Sequence, residues 1–303
     1  MVSNVSTNTF APSLWKRYQR RLAPPLFVAP ALIMFGIFVI WPVLESLWLS
    51  LHDWDGIGEN RFVGLDNYVE LFRDDPVFWT ALKNNIYWLV AFLFAPAFGL
   101  ALALFLNQAG LAMRFVKSLY FMPFVISQVV VGLMFGWFFN AEFGLLNHIL
   151  TALDLPKIAL LEDERFSTFA IIAAGLWPQV AYCMILYLTG LTAINPELIE
   201  AARMEGVKGW KLLWHIVLPQ LLPATSIAVI VSVVGALRSF DLVSVMTGGG
   251  PYDSSTVLAY YMYEQTFGAL RIGYGAAIAT CLFLLMDVCV VIYLLRSLPS
   301  NKR

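Results

Sequence analysis

Six runs of about 20 apolar residues recur along the chain, at about 25–49, 84–106, 116–139, 167–190, 222–246 and 273–296. Each is long enough to cross about 30 Å of hydrocarbon as a helix. A helix is the natural spanning form because it satisfies its own backbone hydrogen bonds where no water can. Hydrophobic residues make up 60% of the chain and charged residues 13%, about half the charged share of an ordinary soluble domain. Too little polar surface exists to cover the apolar surface, so the solvent is lipid. The expectation is an all-α polytopic membrane protein with six transmembrane helices.

The first run follows Lys16, Arg17, Arg20 and Arg21. Its charge pattern is that of a signal sequence, but its apolar part is too long and no small-residue cleavage site follows, so it reads as a retained span. Six spans place both ends on one side. With both termini cytoplasmic, the inner segments hold twelve Lys and Arg (Lys16, Arg17, Arg20, Arg21, Arg114, Lys117, Arg203, Lys208, Lys211, Arg296, Lys302, Arg303). The outer segments hold six (Arg61, Arg73, Lys83, Lys157, Arg165, Arg271), and Arg238 falls within a span. That excess favours cytoplasmic termini. The expected organisation is a cytoplasmic segment at 1–24, a membrane domain at 25–297 and a cytoplasmic tail at 298–303. A short helix is expected from Leu145 to Leu153 in an outer loop.

Cys183, Cys281 and Cys289 all lie inside spans, with no Cys-x-x-Cys pair, and read as packing residues rather than a disulfide or zinc framework. His52, His148 and His215 lie in separate segments, so no metal-ligand or nucleophile constellation points to a membrane enzyme. No Gly-x-x-x-x-Gly-Lys-Ser/Thr phosphate loop is present, so the chain does not hydrolyse ATP alone.

The loop at 195–219 carries the functional argument. Asn195 suits an N-cap, Pro196 the first helical position, and Glu197 and Glu200 the positive end of a helix dipole. Ala201 and Ala202 offer a small surface for close approach. Gly206 supplies the positive φ of a helix end. Lys208 to His215 then suits a second short helix along the interface, with Trp210 and Trp214 at headgroup depth. On these residues alone an ordinary amphipathic loop helix is the favoured reading. The string Glu200-Ala201-Ala202, then Gly206, then Ile216-x-Leu218-Pro219, however, resembles the "EAA" loop of binding-protein-dependent ABC importer permeases. Asp241-Leu242-Val243, Thr247-Gly248-Gly249-Gly250-Pro251, Tyr260-Tyr261 and Gly273-Tyr274-Gly275-Ala276-Ala277 are similar to the carbohydrate branch, and most to the maltose-permease partner with a Thr-x-Gly-Gly-Pro turn. Phe62-Val63-Gly64-Leu65-Asp66-Asn67-Tyr68 is also typical of sugar permeases. The large periplasmic insertion of the maltose protein is absent.

The resemblance implies a type I ABC importer permease fold in a bacterial inner membrane. It implies a second permease subunit as heterodimer partner, two separate ABC ATPase subunits carrying ATP and Mg, a soluble substrate-binding protein, surrounding lipid and no nucleic acid. This chain itself would bind no cofactor. Glu200, Ala201, Ala202 and Gly206 would be the ATPase contacts. The sugar path would lie on spans four and five, near Trp177, Gln179, Tyr182, Ser232, Ala236 and Ser239. Ala236 stands where the family has a polar residue.

Charged groups at membrane depth are costly and mark function by default; Glu45, Arg238, Asp241 and Asp287 qualify. Arg238 and Asp241, three apart, either pair on one helical face or face the path, in which case Arg238 suits an anionic sugar or polyol. Gln128 and Asn85 are further polar candidates. A secondary transporter is the rival reading, but neither a coupling-ion site nor a repeated half is visible, and the loop would have no role in it. A permease for amino acids or osmolytes is the other alternative.

Overall fold

The structure, a computed structural model, describes residues Leu14–Ser297, with side chains from Pro24 to Arg296. The expected tail at 298–303 and residues 1–13 lie outside the described residues, as do the side chains of Lys16, Arg17, Arg20 and Arg21. Two compact units are present, 1–48 and 49–303. The first holds α1 (Leu14–Phe35), a π-helical turn at Gly36–Ile40 and the start of α2 (Trp41–Leu49). Helix thus begins inside the segment 1–24. Phe27, Phe38 and Trp41 are exposed, as on a helix whose surroundings are lipid or another protein. Glu45 is exposed on α2.

The second unit opens with a two-stranded antiparallel hairpin, β1 (His52–Asp53) and β2 (Arg61–Phe62), with His52 opposite Phe62. The helices follow in order: α3 (Asp66–Arg73), α4 (Pro76–Phe92), α5 (Ala95–Leu106), α6 (Leu111–Val125), α7 (Gln128–Phe138), α8 (Leu145–Ala152) and α9 (Ser167–Ala193). Then come α10 (Pro196–Met204), α11 (Gly209–Leu212), α12 (Leu218–Gln220), α13 (Leu222–Leu237), α14 (Asp241–Met246), α15 (Leu258–Tyr263) and α16 (Ile272–Ser297).

Four helical stretches are long and apolar enough to cross a membrane: Pro24–Leu49, Pro76–Leu106, Ser167–Ala193 and Ile272–Arg296. Two bent pairs raise the number to six if each is one span. Leu111–Val125 meets Gln128–Phe138 at 95°, and Gly209–Gln220 meets Leu222–Leu237 at 72°. The runs read from hydropathy at 116–139 and 222–246 as continuous are each interrupted, the first at the 95° bend and the second at a separate gap within it. The first breaks at Ile126–Ser127, both extended beyond their helices. The second breaks at Arg238–Phe240, between α13 and α14. Hydropathy reports how apolar a stretch is, not whether its backbone stays helical. The 84–106 run starts earlier, at Pro76, because Asp75 caps α4 there. α9 runs through Pro178 without interruption.

Three apolar clusters hold the unit together. One joins α3, α4, α13, α15 and α16 around Phe78, Leu237 and Ile278. Another joins α5 to α9 and to the segment after it, around Met184, Tyr187 and Leu221. The third gathers Trp88, Phe92, Ile171, Ala236 and Leu242 where α4, α7, α9, α13 and α14 meet.

The hairpin rests on the start of α16. The amides of Ile272 and Gly273 donate to the Trp54 carbonyl, and a Cβ on Gly273 would lie 1.8 Å from the His52 carbonyl oxygen. That close approach explains the glycine of the Gly273-Tyr274-Gly275 string. Gly273→Ala is expected to force the backbones apart and to lower stability by about 1–3 kcal/mol or more, in the range of overpacked cores. Thermal unfolding of the detergent-solubilised chain measures it.

Candidate functional site

The loop at 195–219 folds as a helix, a turn and an interrupted second helix. Asn195 Oδ1 accepts from the Glu197 amide at 3.0 Å, and Pro196 occupies the first turn of α10. The helix closes where the amides of Gly206 and Val207 donate to the carbonyls of Arg203 and Ala202, with Gly206 at φ +82°. The second helix departs from the expected continuous 208–215. Only α11 (Gly209–Leu212) is α-helical, and a π turn at Leu213–Val217 carries the chain to α12. Ile199, Leu212, Leu213 and Val217 pack into the α5–α9 cluster. Ala202 is buried, whereas Glu200, Ala201, Met204 and Gly206 are exposed together at the tip. Nothing lies within 4 Å of a Cβ built on Gly206. The tip is therefore a small-residue knob held from behind by an apolar root.

The second site is a cavity of about 310 Å³ between α4, α7, α9, α13 and α14, a size suited to a small ligand. Trp88 and Phe92, with ring centroids 5.2 Å apart, and Phe240 form its aromatic walls. Gln128, Gln179, Arg238, Ser239 and Asp241 supply its polar lining. Gln179 Nε2 donates to Ser232 Oγ at 2.9 Å, and Ser232 donates on to the Ala228 carbonyl. The serine proton is thus committed, which sets the amide with its Oε1 toward Gly235 at the cavity wall. Ser239 Oγ donates to the Ala236 carbonyl at 2.7 Å.

The helix break decides the state of Arg238. It sits past the end of α13, and Asp241 starts α14, so the two do not share one helical face. No ion pair joins them; the ion pairs among the described residues are Arg61–Asp53, Arg165–Asp163 and Arg271–Glu70. A guanidinium at the centre of a lipid-facing helix costs about 2.5–3.5 kcal/mol on insertion scales. Arg238 avoids that cost by lying exposed on a polar cavity.

The remaining path residues are not all gathered here. Ser232 and Ala236 are fully buried behind the lining. Tyr182 stacks on Phe124, centroids 4.6 Å apart. Trp177 stands edge-on to Phe135 and lines a separate apolar recess between α5, α6 and α9. Asn85 is buried and accepts from the Leu258 amide, so it supports the fold rather than the cavity. Asp287 is exposed on α16. Trp88, Phe92 and Phe240 were not singled out from the sequence, where nothing separates a cavity wall from a packing ring. Trp88 Nε1 is buried without a partner.

At the other end of α4, Asp75 ties three elements together. Its Oδ1 accepts from the Val77 and Phe78 amides, and its Oδ2 accepts from the hydroxyls of Tyr261 and Tyr274. Burial and the bond to Asp75 raise the Tyr261 pKa above the usual phenol value, so that hydroxyl stays a donor. Asn84 likewise donates to the Ser254 and Thr256 carbonyls, pinning the Gly-rich turn to α4.

Residues 95–300 match the family model described as "binding-protein-dependent transport system inner membrane component". A probable ABC transporter permease protein of Pyrococcus horikoshii is 38% identical over 92% of this chain and 96% of its own length. The sulfoquinovosyl glycerol transport system permease protein of Agrobacterium fabrum is 32% identical over 92% of each chain. Among solved structures, a chain of a bacterial ABC transporter involved in import of the acidic polysaccharide alginate superposes with a TM-score of 0.81 at 23% identity, covering 95% of this chain and 99% of that one.

Proposed function

We propose a carbohydrate cargo for this chain, which belongs to the binding-protein-dependent transport system inner membrane components and is the permease subunit of an ABC importer. In this reading the second compact unit and the first helix together make six spans, with the two bent pairs each counted as one, and both termini face the cytoplasm. A second permease completes the path, two ATPase subunits supply ATP and Mg, and a soluble binding protein delivers the cargo from outside.

The observation that carries the cargo assignment is the cavity at the α13–α14 break. Sugars present apolar C–H faces and hydroxyls in many directions. Trp88, Phe92 and Phe240 suit the first, and Gln128, Gln179, Ser239 and Asp241 the second. The relative that transports sulfoquinovosyl glycerol points the same way. The exposed tip at Glu200, Ala201 and Gly206, with Ala202 behind it, serves as the coupling contact. ATP-driven closure of the ATPases moves that tip and, through the α5–α9 cluster, the spans. Identifying what the partner binding protein carries, by mass spectrometry of the purified protein, tests the cargo. A non-carbohydrate would reject it. Purification of the complex without an ATPase would reject the coupling role.

A second reading rests on Arg238 alone. Its unpaired guanidinium in the cavity suits a sulfonate, phosphate or carboxylate on the sugar. Arg238→Ala is then expected to lower uptake of an anionic sugar at least tenfold and of its neutral analogue by less than threefold, in proteoliposomes. Equal losses on both would assign Arg238 to hydroxyl recognition or packing.

A further inference from the structure

A second cavity, of about 550 Å³, opens beside the Gly248–Pro251 turn. Its walls come from the C-terminal half of α7, the following turn, the segment Ala159–Glu162 and the end of α14. It continues the deep cavity along one seam. Gln128, Gly132 and Gly136 fall four apart on a single face of α7; Gln128 lines the deep cavity and the two glycines line the outer one. On α14, Leu242 lines the deep cavity, and Val245 and Met246 line the outer one. The two spaces are thus about one helical turn apart. Between them the seam is closed by Val245, whose Cγ1 would lie 3.1 Å from a Cβ on Gly132. Around Gly136, by contrast, nothing lies within 4 Å of an added Cβ.

The chemistry of this outer cleft is specific. Trp137 offers a half-exposed indole face. Asn140 Oδ1 is committed to the Glu142 and Phe143 amides, which fixes the side chain and leaves its Nδ2 free as a donor. Among the described residues, the Trp137 indole N–H and the Glu162 carboxylate make no hydrogen bond. A flat apolar platform with a fixed donor and a free carboxylate matches a pyranose ring, whose hydroxyls both donate and accept. Glu162 is the charged side chain of the lining, and it opposes an anionic group.

We propose that this cleft is an outer subsite for a neutral sugar unit, from which cargo passes along the α7–α14 seam, past Val245, into the deep cavity. The proposal rests on the carbohydrate reading for its ligand class, but its place on the path is testable separately. In proteoliposomes holding the complete importer, uptake of the cargo identified on the binding protein is measured for a size series at Gly136. Gly136→Ala is expected to transport within twofold of the native chain, and Gly136→Phe to fall at least tenfold while binding-protein-stimulated ATP hydrolysis persists. Native uptake by the Phe variant overturns the path.

Should the Phe variant not assemble, Gly136→Cys supplies the answer. A benzyl methanethiosulfonate should block uptake, a methyl reagent should not, and the native chain, with Cys183, Cys281 and Cys289, serves as control. No block by the bulky reagent likewise overturns the path. Glu162→Gln is expected to raise the KM for a neutral sugar severalfold with little change in maximal rate; an unchanged KM removes Glu162 from recognition. A non-carbohydrate on the binding protein would reject the ligand class while leaving the Gly136 result standing.

Discussion

Gly206→Pro and Glu200→Arg are each expected to abolish binding-protein-stimulated ATP hydrolysis while leaving membrane insertion intact. Gly206 closes α10 at φ +82°, and its amide donates to the Arg203 carbonyl. Proline has no such donor and is held near φ −65°, so the turn cannot form and the tip loses its shape. Gly206→Ala is milder, since an L residue in that region costs about 1–2 kcal/mol, and partial coupling is expected. Glu200→Arg leaves the fold alone, because the side chain is exposed. It places a cation at the middle of α10 and reverses the charge offered to the ATPase. Normal ligand-stimulated hydrolysis in proteoliposomes with either variant would remove the tip from the coupling contact.

Asp75→Ala is expected to give the largest loss of stability among single polar changes. The carboxylate caps α4 through two amides and accepts from two tyrosine hydroxyls of α15 and α16. Losing a cap costs about 1 kcal/mol. Each stranded buried hydroxyl costs about 1–3 kcal/mol more. Nearby, Arg271 holds Glu70 with one guanidinium nitrogen, 2.8 and 2.7 Å from its two carboxylate oxygens, and lies 4.1 Å from the Tyr274 ring centroid, but that pair is half-exposed and compensates little. Asp75→Asn keeps an acceptor for the cap and should lose much less. Thermal unfolding of the purified chain orders the three. An Ala variant as stable as native would mean that the α15–α16 end is held by its apolar cluster alone.

Some of this was legible without coordinates. The membrane class follows from apolar runs, because lipid tolerates few charges and demands internally bonded backbone. The cap at Asn195, the proline after it and the left-handed Gly206 were legible because each depends on the local backbone alone. α8 was found at Leu145–Ala152 for the same reason. The π turn at Leu213–Val217 was not, since nothing local marks it.

The cavity is the opposite case. From the sequence, Arg238 and Asp241 were either partners on one helix or lining groups. The break at Arg238–Phe240 separates them, and it lies inside a run whose hydropathy is continuous. Asp75 was one acid among many in an outer segment; only the convergence of α4, α15 and α16 makes it a junction. Trp88 and Trp177 are equally apolar by composition, yet one walls the polar cavity and the other an apolar recess.

The sequence by itself determined the solvent, the shape of the tip at 200–206 and the family, because these depend on composition and on residues adjacent in the chain. The tertiary structure decided which polar groups face a common space and which are spent on the fold. That depends on where backbones bend and how closely helices approach, and residues from 53 to 199 positions apart in the chain set both.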